Sequence, residues 1–271
     1  MIEETTVDVD GVRVFVRRIG GDGPPALFVH GNPTHSEVWL PFLRRLDGPA
    51  VALDLPGWGR SQQPGPGFDG SMHGIASFLE RFLDLLAIDA YRLVLHDWGA
   101  VALITAQRHP ERVRRLVIVD AVPLLPGYRW HWIARMWRRR GIGEAFNATT
   151  TRAATALLLR QASGDRSPMP RELVDMIWRR FDRGTRRAVL KLYRSAPEDA
   201  LPAAGSRLGD LECPALVVWG GRDPYLPVEF GRAYAERLPN AELREVPEAG
   251  HWPWIERPAI VDRVVGFLEQ R

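Results

Sequence analysis

Cysteine and lysine are almost missing from this 271-residue sequence, and each shortage excludes something. Cys213 is the only cysteine, so no disulfide can form within the chain and no cysteine cluster can bind a metal. Lys191 is the only lysine, so nearly all of the 36 basic residues are arginines, and the formal net charge is only +3. The arginine-rich runs are interleaved with aromatic residues at helical spacing, which indicates solvated helix faces and not a nucleic-acid surface.

Long hydrophobic runs are missing as well. No stretch approaches the ~18 to 20 apolar residues of a membrane-spanning helix, and residues 1–10 lack the apolar core of a signal peptide. We therefore expect a cytoplasmic protein that does not bind membranes. Hydrophobic residues make up 45% of the chain and charged residues 25%, which is typical of an enzyme domain with a large buried core.

Short apolar runs alternate with amphipathic helical patterns along most of the chain. Alternating apolar residues at 7–9 and 12–16 predict an antiparallel hairpin that turns at Asp10 and Gly11. Buried strands are predicted at 26–29, 50–53, 93–95, 116–119, 215–219 and 243–246, and helices at 71–86 and 261–268. This alternation predicts an α/β fold with a mostly parallel, twisted sheet, helices on both faces, and a ligand crevice at the carboxyl ends of the strands.

The pattern changes between the predicted strands at 116–119 and 215–219. This interval is rich in proline, tryptophan and arginine, and it has helical spacing but no comparable strand pattern. We interpret residues 123–211 as an inserted helical cap on a core formed by residues 1–122 and 212–271. The tryptophans of the cap would line an apolar pocket.

Three reactive side chains follow predicted strands. Asp97 lies at a sharp turn between a strand and a helix, Asp223 follows the strand at 215–219, and His251 lies in the loop after the last strand. A carboxylate is already an anion, so Asp97 can attack a saturated carbon without first losing a proton. Nucleophile, acid and histidine in this order match the arrangement of the α/β-hydrolases.

Four motifs make the chain similar to the aspartate-nucleophile branch of the α/β-hydrolases, which comprises the epoxide hydrolases and haloalkane dehalogenases. The motifs are His30-Gly31-Asn32-Pro33, Asp54-Leu55-Pro56-Gly57-Trp58-Gly59-Arg60-Ser61, His96-Asp97-Trp98-Gly99 and Gly250-His251-Trp252. The resemblance covers nearly the whole chain and implies the α/β-hydrolase fold. It departs from the family at Leu95, because a glycine is usual two positions before the nucleophile.

The resemblance implies covalent hydrolysis without a cofactor or a metal. Asp97 would form an alkyl ester with the substrate, and His251, oriented by Asp223, would activate the water that hydrolyses this ester. The backbone N–H groups of Asn32 and Trp98 would bind the oxyanion of the second step.

The sequence contains two candidates for the acid that orients His251. Asp223 lies in a Gly-Gly-Arg-Asp-Pro loop that has no better explanation, whereas Asp120 ends the preceding predicted strand and can hydrogen-bond local backbone. Some relatives of the dehalogenase branch carry their acid at the position of Asp120. We expect Asp223 to be the acid and keep Asp120 as the alternative.

The leaving group distinguishes two enzymes. Epoxide opening generates an alkoxide, which two cap tyrosines protonate in epoxide hydrolases, and the resemblance assigns this role to Tyr193 and to Tyr128. Halide release uses N–H donors instead, and the side chains of Asn32 and Trp98 resemble the halide-binding pair of one dehalogenase subgroup.

We expect an epoxide hydrolase that converts a small apolar epoxide to a vicinal diol. A haloalkane dehalogenase is the alternative, and a non-catalytic ligand-binding protein on the same scaffold is a third possibility, because fold alone does not give function. The expected partners are the small apolar substrate and water, and the sequence leaves open whether the chain is a monomer or a homodimer.

Overall fold

The computed structural model describes residues 1–270, whose strands form an eight-stranded sheet. In chain order the strands are β1 (Glu3–Val9), β2 (Val12–Ile19), β3 (Ala26–Val29), β4 (Ala50–Leu53), β5 (Tyr91–Asp97), β6 (Val113–Ala121), β7 (Ala215–Gly220) and β8 (Ala241–Val246). Their order in the sheet is β1-β2-β4-β3-β5-β6-β7-β8, with β2 antiparallel to both of its neighbours and the other neighbouring pairs parallel. The predicted α/β fold with a mostly parallel sheet is confirmed.

Helices follow most of the strands. In chain order they are α1 (Leu40–Leu43), α2 (Met72–Leu85), α3 (Val101–Arg108), α4 (Trp132–Arg138), α5 (Ile142–Thr149), α6 (Arg152–Ala162), α7 (Arg171–Arg180), α8 (Arg183–Ser195), α9 (Ala200–Ala204), α10 (Val228–Arg237), α11 (Pro253–Glu256) and α12 (Ala259–Glu269). The predicted helix at 71–86 corresponds to α2, which begins after Ser71, whose hydroxyl accepts the N–H of Gly74 at 3.0 Å.

The central strands of the sheet are buried on both faces, to which successive residues of a strand point in alternation. In β3, Leu27 and Val29 belong to one hydrophobic cluster, together with residues of α2 and α3. Ala26 and Phe28 belong to a second cluster, which includes residues of α1 and α12. A strand with two buried faces needs apolar side chains at every position, so the continuous apolar run at 26–29 predicts β3 at its observed bounds.

Six of the helices, α4 to α9, fall between β6 and β7, where no strand is found among the described residues. We call residues 123–211, which contain these helices, the cap segment. The division of the chain into a core and a cap at these bounds stays a prediction.

Residues 1–270 contain no helix with the length and apolar character required to cross a membrane. In the same part of the chain, histidine, cysteine and acidic side chains nowhere form a group of three or more that could hold a metal ion.

Candidate active site

Asp97 lies where β5 passes into a short 3₁₀ turn (Trp98–Ala100) that leads to α3. Its backbone has φ 51° and ψ −120°, which is strained for a residue with a side chain and typical of a nucleophile elbow. The neighbouring structure holds this conformation, since β5 pairs with β3 and β6 and the N–H of Val122 donates to the Asp97 carbonyl oxygen at 3.0 Å. The elbow therefore presents Asp97 at the carboxyl end of a central strand.

Leu95 fits this elbow because the residue that closely contacts it across the turn, Gly99, has no side chain. Leu95 is fully buried in the hydrophobic cluster that contains α2 and α3. A Cβ at Gly99 would lie 3.2 Å from the Leu95 Cβ and only 2.2 Å from the carbonyl oxygen of Val29. The turn thus needs one residue without a side chain, Gly99, and accommodates Leu95 before the nucleophile.

Two backbone N–H groups bind the Asp97 carboxylate. The N–H of Asn32 donates to Asp97 Oδ1 at 2.6 Å, and the N–H of Trp98 also interacts with this carboxylate. Gly31 allows the close approach, since a Cβ there would lie 2.4 Å from both Asp97 Cβ and Asp97 Oδ1. Burial raises the pKa of Asp97 to about 6, although His251 and the two N–H groups act in the opposite direction. Asp97 is therefore mostly ionised at pH 7.

His251 lies beside the second oxygen of Asp97 and is held by Asp223. Its Nδ1 is 2.7 Å from Asp223 Oδ2, and its Nε2 is 3.8 Å from Asp97 Oδ2. Because the Asp223 carboxylate accepts a hydrogen bond from Nδ1–H, the Nε2 atom of neutral His251 is free to accept a proton. Burial lowers the pKa of His251, but Asp223 and Asp97 outweigh this effect and raise the pKa overall. The geometry suits a general base that acts on water next to Asp97.

The structure brings Asp223, and not Asp120, to the histidine. Two backbone N–H groups of the following turn donate to Asp223 Oδ1, which leaves Oδ2 for His251. Asp120 is fully buried at the end of β6, and its Oδ1 accepts the N–H of Gly220 at 2.9 Å. Burial and the nearby Asp223 carboxylate raise the pKa of Asp120 well above its usual range, which favours its neutral form.

A cavity of about 70 Å³ opens above Asp97 and His251, and Tyr193 forms part of its wall. The Tyr193 ring packs edge-on against Trp98, with ring centroids 5.1 Å apart. Tyr193 is only 2% exposed, and burial together with the Asp97 carboxylate raises the pKa of its phenol well above the usual value. The phenol therefore keeps its proton and can donate it toward the cavity.

Tyr128 does not line this cavity. Its hydroxyl donates to the carbonyl oxygen of Tyr225 at 3.3 Å, and its ring packs edge-on against Trp130. The structure thus brings one of the two predicted tyrosines to Asp97 and turns the other toward the loop after β7.

His131 also lines the cavity, a role that is not predicted from the sequence. Its Nδ1 accepts the N–H of Ala134 at 3.4 Å as the N-cap of α4, so the proton of the neutral ring is on Nε2. Burial lowers the pKa of His131 to about 3, which keeps the ring neutral at physiological pH. The only signal in the sequence is its position directly before a predicted helical stretch, which is also typical of a simple capping residue.

Two further donors lie next to Asp97. Asn32 Nδ2 and Trp98 Nε1 are buried and have no hydrogen-bond partner among the residues that the structure describes. The indole N–H of Trp58 donates to Asn32 Oδ1 at 3.5 Å, which orients the amide with its NH₂ group away from Trp58. Both donors lie near the Tyr193 phenol oxygen without forming a well-aligned hydrogen bond to it, and their interaction with this oxygen acts to lower the pKa of the phenol, against the larger effect of burial. Buried N–H groups without a partner favour a ligand that accepts hydrogen bonds.

Known proteins share this architecture. A family model for the alpha/beta hydrolase fold matches residues 24–258. A haloalkane dehalogenase of Mesorhizobium japonicum is 31% identical over 262 residues, which cover 86% of this chain and 80% of that protein. The dihydrolipoyllysine-residue acetyltransferase component of the acetoin cleaving system of Cupriavidus necator is 30% identical over 92% of this chain, but the alignment spans only 64% of that protein.

An epoxide hydrolase is also among the relatives. Epoxide hydrolase 2 of Siraitia grosvenorii is 39% identical over 120 residues, which cover 43% of this chain and 38% of that protein. Among solved structures, the haloalkane dehalogenase DbeA from Bradyrhizobium elkani superposes with a TM-score of 0.85 at 26% identity and covers 99% of this chain and 98% of that one. The likeness to this structure therefore includes the segment with α4 to α9.

Proposed function

The chain belongs to the α/β-hydrolase family, and we propose that it is an epoxide hydrolase, which opens a small apolar epoxide to a vicinal diol. The observation that carries this proposal is that Asp97 and Tyr193 line the same cavity, so that a carboxylate nucleophile and a buried phenolic proton donor both contact its contents. The small cavity has a mostly apolar wall, which supports a small apolar substrate.

In the first step, Asp97 attacks a carbon of the epoxide ring. Asn32 holds Oδ1, so Oδ2 is the oxygen that is free to form the new C–O bond. As this bond forms, the ring C–O bond breaks and its electron pair passes to the epoxide oxygen. Tyr193 donates its phenolic proton to that oxygen, and the Nε2–H of His131 is a second donor on the same cavity wall.

In the second step, water hydrolyses the ester on Asp97. His251 Nε2 takes a proton from the water, whose oxygen attacks the ester carbonyl carbon. The backbone N–H groups of Asn32 and Trp98 bind the oxyanion, and each such donor typically stabilises the transition state by about 3 kcal/mol. The bond between the carbonyl carbon and the ester oxygen then breaks, and this oxygen takes the remaining proton of the added water as the diol leaves. The Asp97 carboxylate is regenerated, and the proton on His251 returns through water to the Tyr193 phenolate.

A haloalkane dehalogenase is the second candidate, because the unpartnered side-chain N–H groups of Asn32 (Nδ2) and Trp98 (Nε1) suit a halide. In that reaction Asp97 Oδ2 attacks the carbon that bears the halogen, and the halide leaves with the electron pair of the broken bond. A halide needs no proton, so Tyr193 would have no chemical role. The second step is the same in both reactions.

Product analysis with styrene oxide and 1-bromobutane tests the proposal. We expect diol from styrene oxide, and we expect Tyr193→Phe to slow diol formation at least about tenfold because the alkoxide loses its proton donor. Any bromide release should be unaffected by this substitution. Tyr128→Phe is the matched control, since its hydroxyl lies outside the cavity, and it should leave the diol rate within about twofold of the wild type.

Three outcomes would count against all or part of this proposal. Undiminished diol formation in Tyr193→Phe would remove the role of the tyrosine. Bromide release without any diol would favour the dehalogenase, and turnover of neither substrate would favour a ligand-binding protein.

A further inference from the structure

The loop that carries His251 is held through its backbone on two sides. The N–H of His251 donates to the carbonyl oxygen of Ala162, the last residue of α6, at 2.9 Å. The carbonyl oxygen of His251 accepts a hydrogen bond from His96 Nε2 at 2.8 Å. The backbone of the proposed base thus lies between the strand that carries Asp97 and the cap segment.

Glu256 joins the two segments that meet at His251. It is the last residue of α11, and its side chain is half-buried. Oε1 accepts the N–H of Gly250 and Oε2 accepts the N–H of Gly164, both at 2.8 Å. Because Gly250 precedes His251 and Gly164 lies just beyond the end of α6, one carboxylate binds the histidine loop to the cap segment.

The two segments approach too closely for side chains at these glycines. A Cβ at Gly250 would lie 2.1 Å from the carbonyl oxygen of Ala162, and a Cβ at Gly164 would lie 2.1 Å from the carbonyl oxygen of Glu248. Neither glycine has a positive φ, so the close backbone contact, and not an unusual conformation, requires glycine here. This contact leaves two N–H groups pointing at Glu256.

The carboxylate of Glu256 has no competing cation within residues 1–270. Its neighbour Arg257 pairs with the exposed Glu248 at 2.9 Å, and no ion pair involves Glu256. Both of its oxygens therefore hold backbone beside His251, and its negative charge also contributes, less than Asp223 and Asp97, to the raised pKa of His251.

We propose that Glu256 is a positioning residue for His251, which it holds against the ester on Asp97 by binding the N–H groups of Gly164 and Gly250. This inference rests on the proposed function, because it concerns the second of the two steps described above. His251 takes no part in forming the ester, so loss of this contact slows ester hydrolysis and leaves ester formation unchanged. A residue that only stabilised the fold would not separate the two steps.

The test is Glu256→Gln, with both steps followed by rapid mixing and intact-protein mass spectrometry. Styrene oxide is the first probe and 1-bromobutane the second, since either would form an ester on Asp97. Glutamine keeps one acceptor oxygen and nearly the same size, so it loses one of the two N–H contacts. We expect ester hydrolysis about tenfold slower and ester formation within about twofold of the wild type, so that the ester accumulates. Glu256→Ala loses both contacts and should slow the same step further.

Glu248→Gln is the matched control, because this exposed carboxylate lies in the same loop and pairs only with Arg257. Both of its rates should equal those of the wild type. Equal slowing of the two steps by the Glu256 variants, or slowing of neither, overturns the positioning role. If the wild type forms no ester with either probe, the proposed function fails and this inference fails with it.

Discussion

Replacing the nucleophile should make the protein more stable, and by an amount that depends on pH. Burial raises the pKa of Asp97 from 3.8 to about 6, so the folded protein binds this proton more tightly than the unfolded chain does. Above pH 6 the ionised carboxylate therefore costs folding free energy, and below pH 4 this cost vanishes. A pKa rise of this size corresponds to about 3 kcal/mol at pH 8.

Asparagine suits the site in other respects. It has the shape of aspartate, its oxygen can still accept the N–H of Asn32, and it adopts a positive φ readily. We therefore expect Asp97→Asn to abolish hydrolysis and to raise the free energy of unfolding by about 2 to 3 kcal/mol at pH 8. Urea unfolding followed by tryptophan fluorescence at pH 8 and near pH 4 measures both values, and the gain should disappear at the lower pH.

Asp54→Asn is the control, because Asp54 is buried but fully bonded. Its Oδ1 accepts the N–H of Ser36 and its Oδ2 accepts the N–H of Arg60, each at 2.7 Å. An amide NH₂ would face one of these donors, so this variant should lose about 1 to 3 kcal/mol. If Asp97→Asn is no more stable than the wild type at pH 8, or gains equally at both pH values, the assigned cost of burying the Asp97 carboxylate is wrong.

Two other predictions concern catalysis. His251→Gln should trap the ester on Asp97, because the base of the second step is missing. The ester would be seen as an increase in protein mass equal to the mass of styrene oxide. An unmodified protein after incubation would count against a covalent intermediate. The kcat/KM for styrene oxide should fall about tenfold per pH unit below about 6, since only ionised Asp97 attacks and its pKa is raised to about 6. A flat profile between pH 5 and 7, after subtraction of the uncatalysed rate, would refute that assignment.

The centre of the sheet is predictable from sequence because its physical requirements are local. The apolar runs at 26–29 and 50–53 predict β3 and β4 at their observed bounds. The first strand is different: the hairpin pattern indicates β1 only from Val7, whereas the strand begins at Glu3. At the edge of the sheet, side chains face solvent and need not be apolar, so the strand extends through residues that show no strand pattern.

The leaving-group side of the site is less predictable. Tyr128 and His131 lie between β6 and α4, in a stretch with neither helical nor strand periodicity, so no rule of spacing tells which of them faces the cavity. Tyr193 lies on the buried side of α8, where helical periodicity applies, and the structure brings it to the cavity. The fit of Leu95 also depends on a contact across the turn with Gly99, which a linear pattern does not contain.

The two sides of Asp97 differ in what they can tell about the reaction. On the side of His251, both candidate reactions use the same base, the same acid and the same oxyanion donors, so variants there report only whether an ester forms and is hydrolysed. On the other side, the Tyr193 phenol and the side-chain N–H groups of Asn32 and Trp98 lie close to one another, and among these three groups only the phenol can supply a proton. An alkoxide requires that proton and a halide does not. The proton of Tyr193 therefore distinguishes the two substrate classes. Tyr193→Phe removes this proton and keeps the ring, so it separates epoxide opening from halide release, whereas a variant on the His251 side does not.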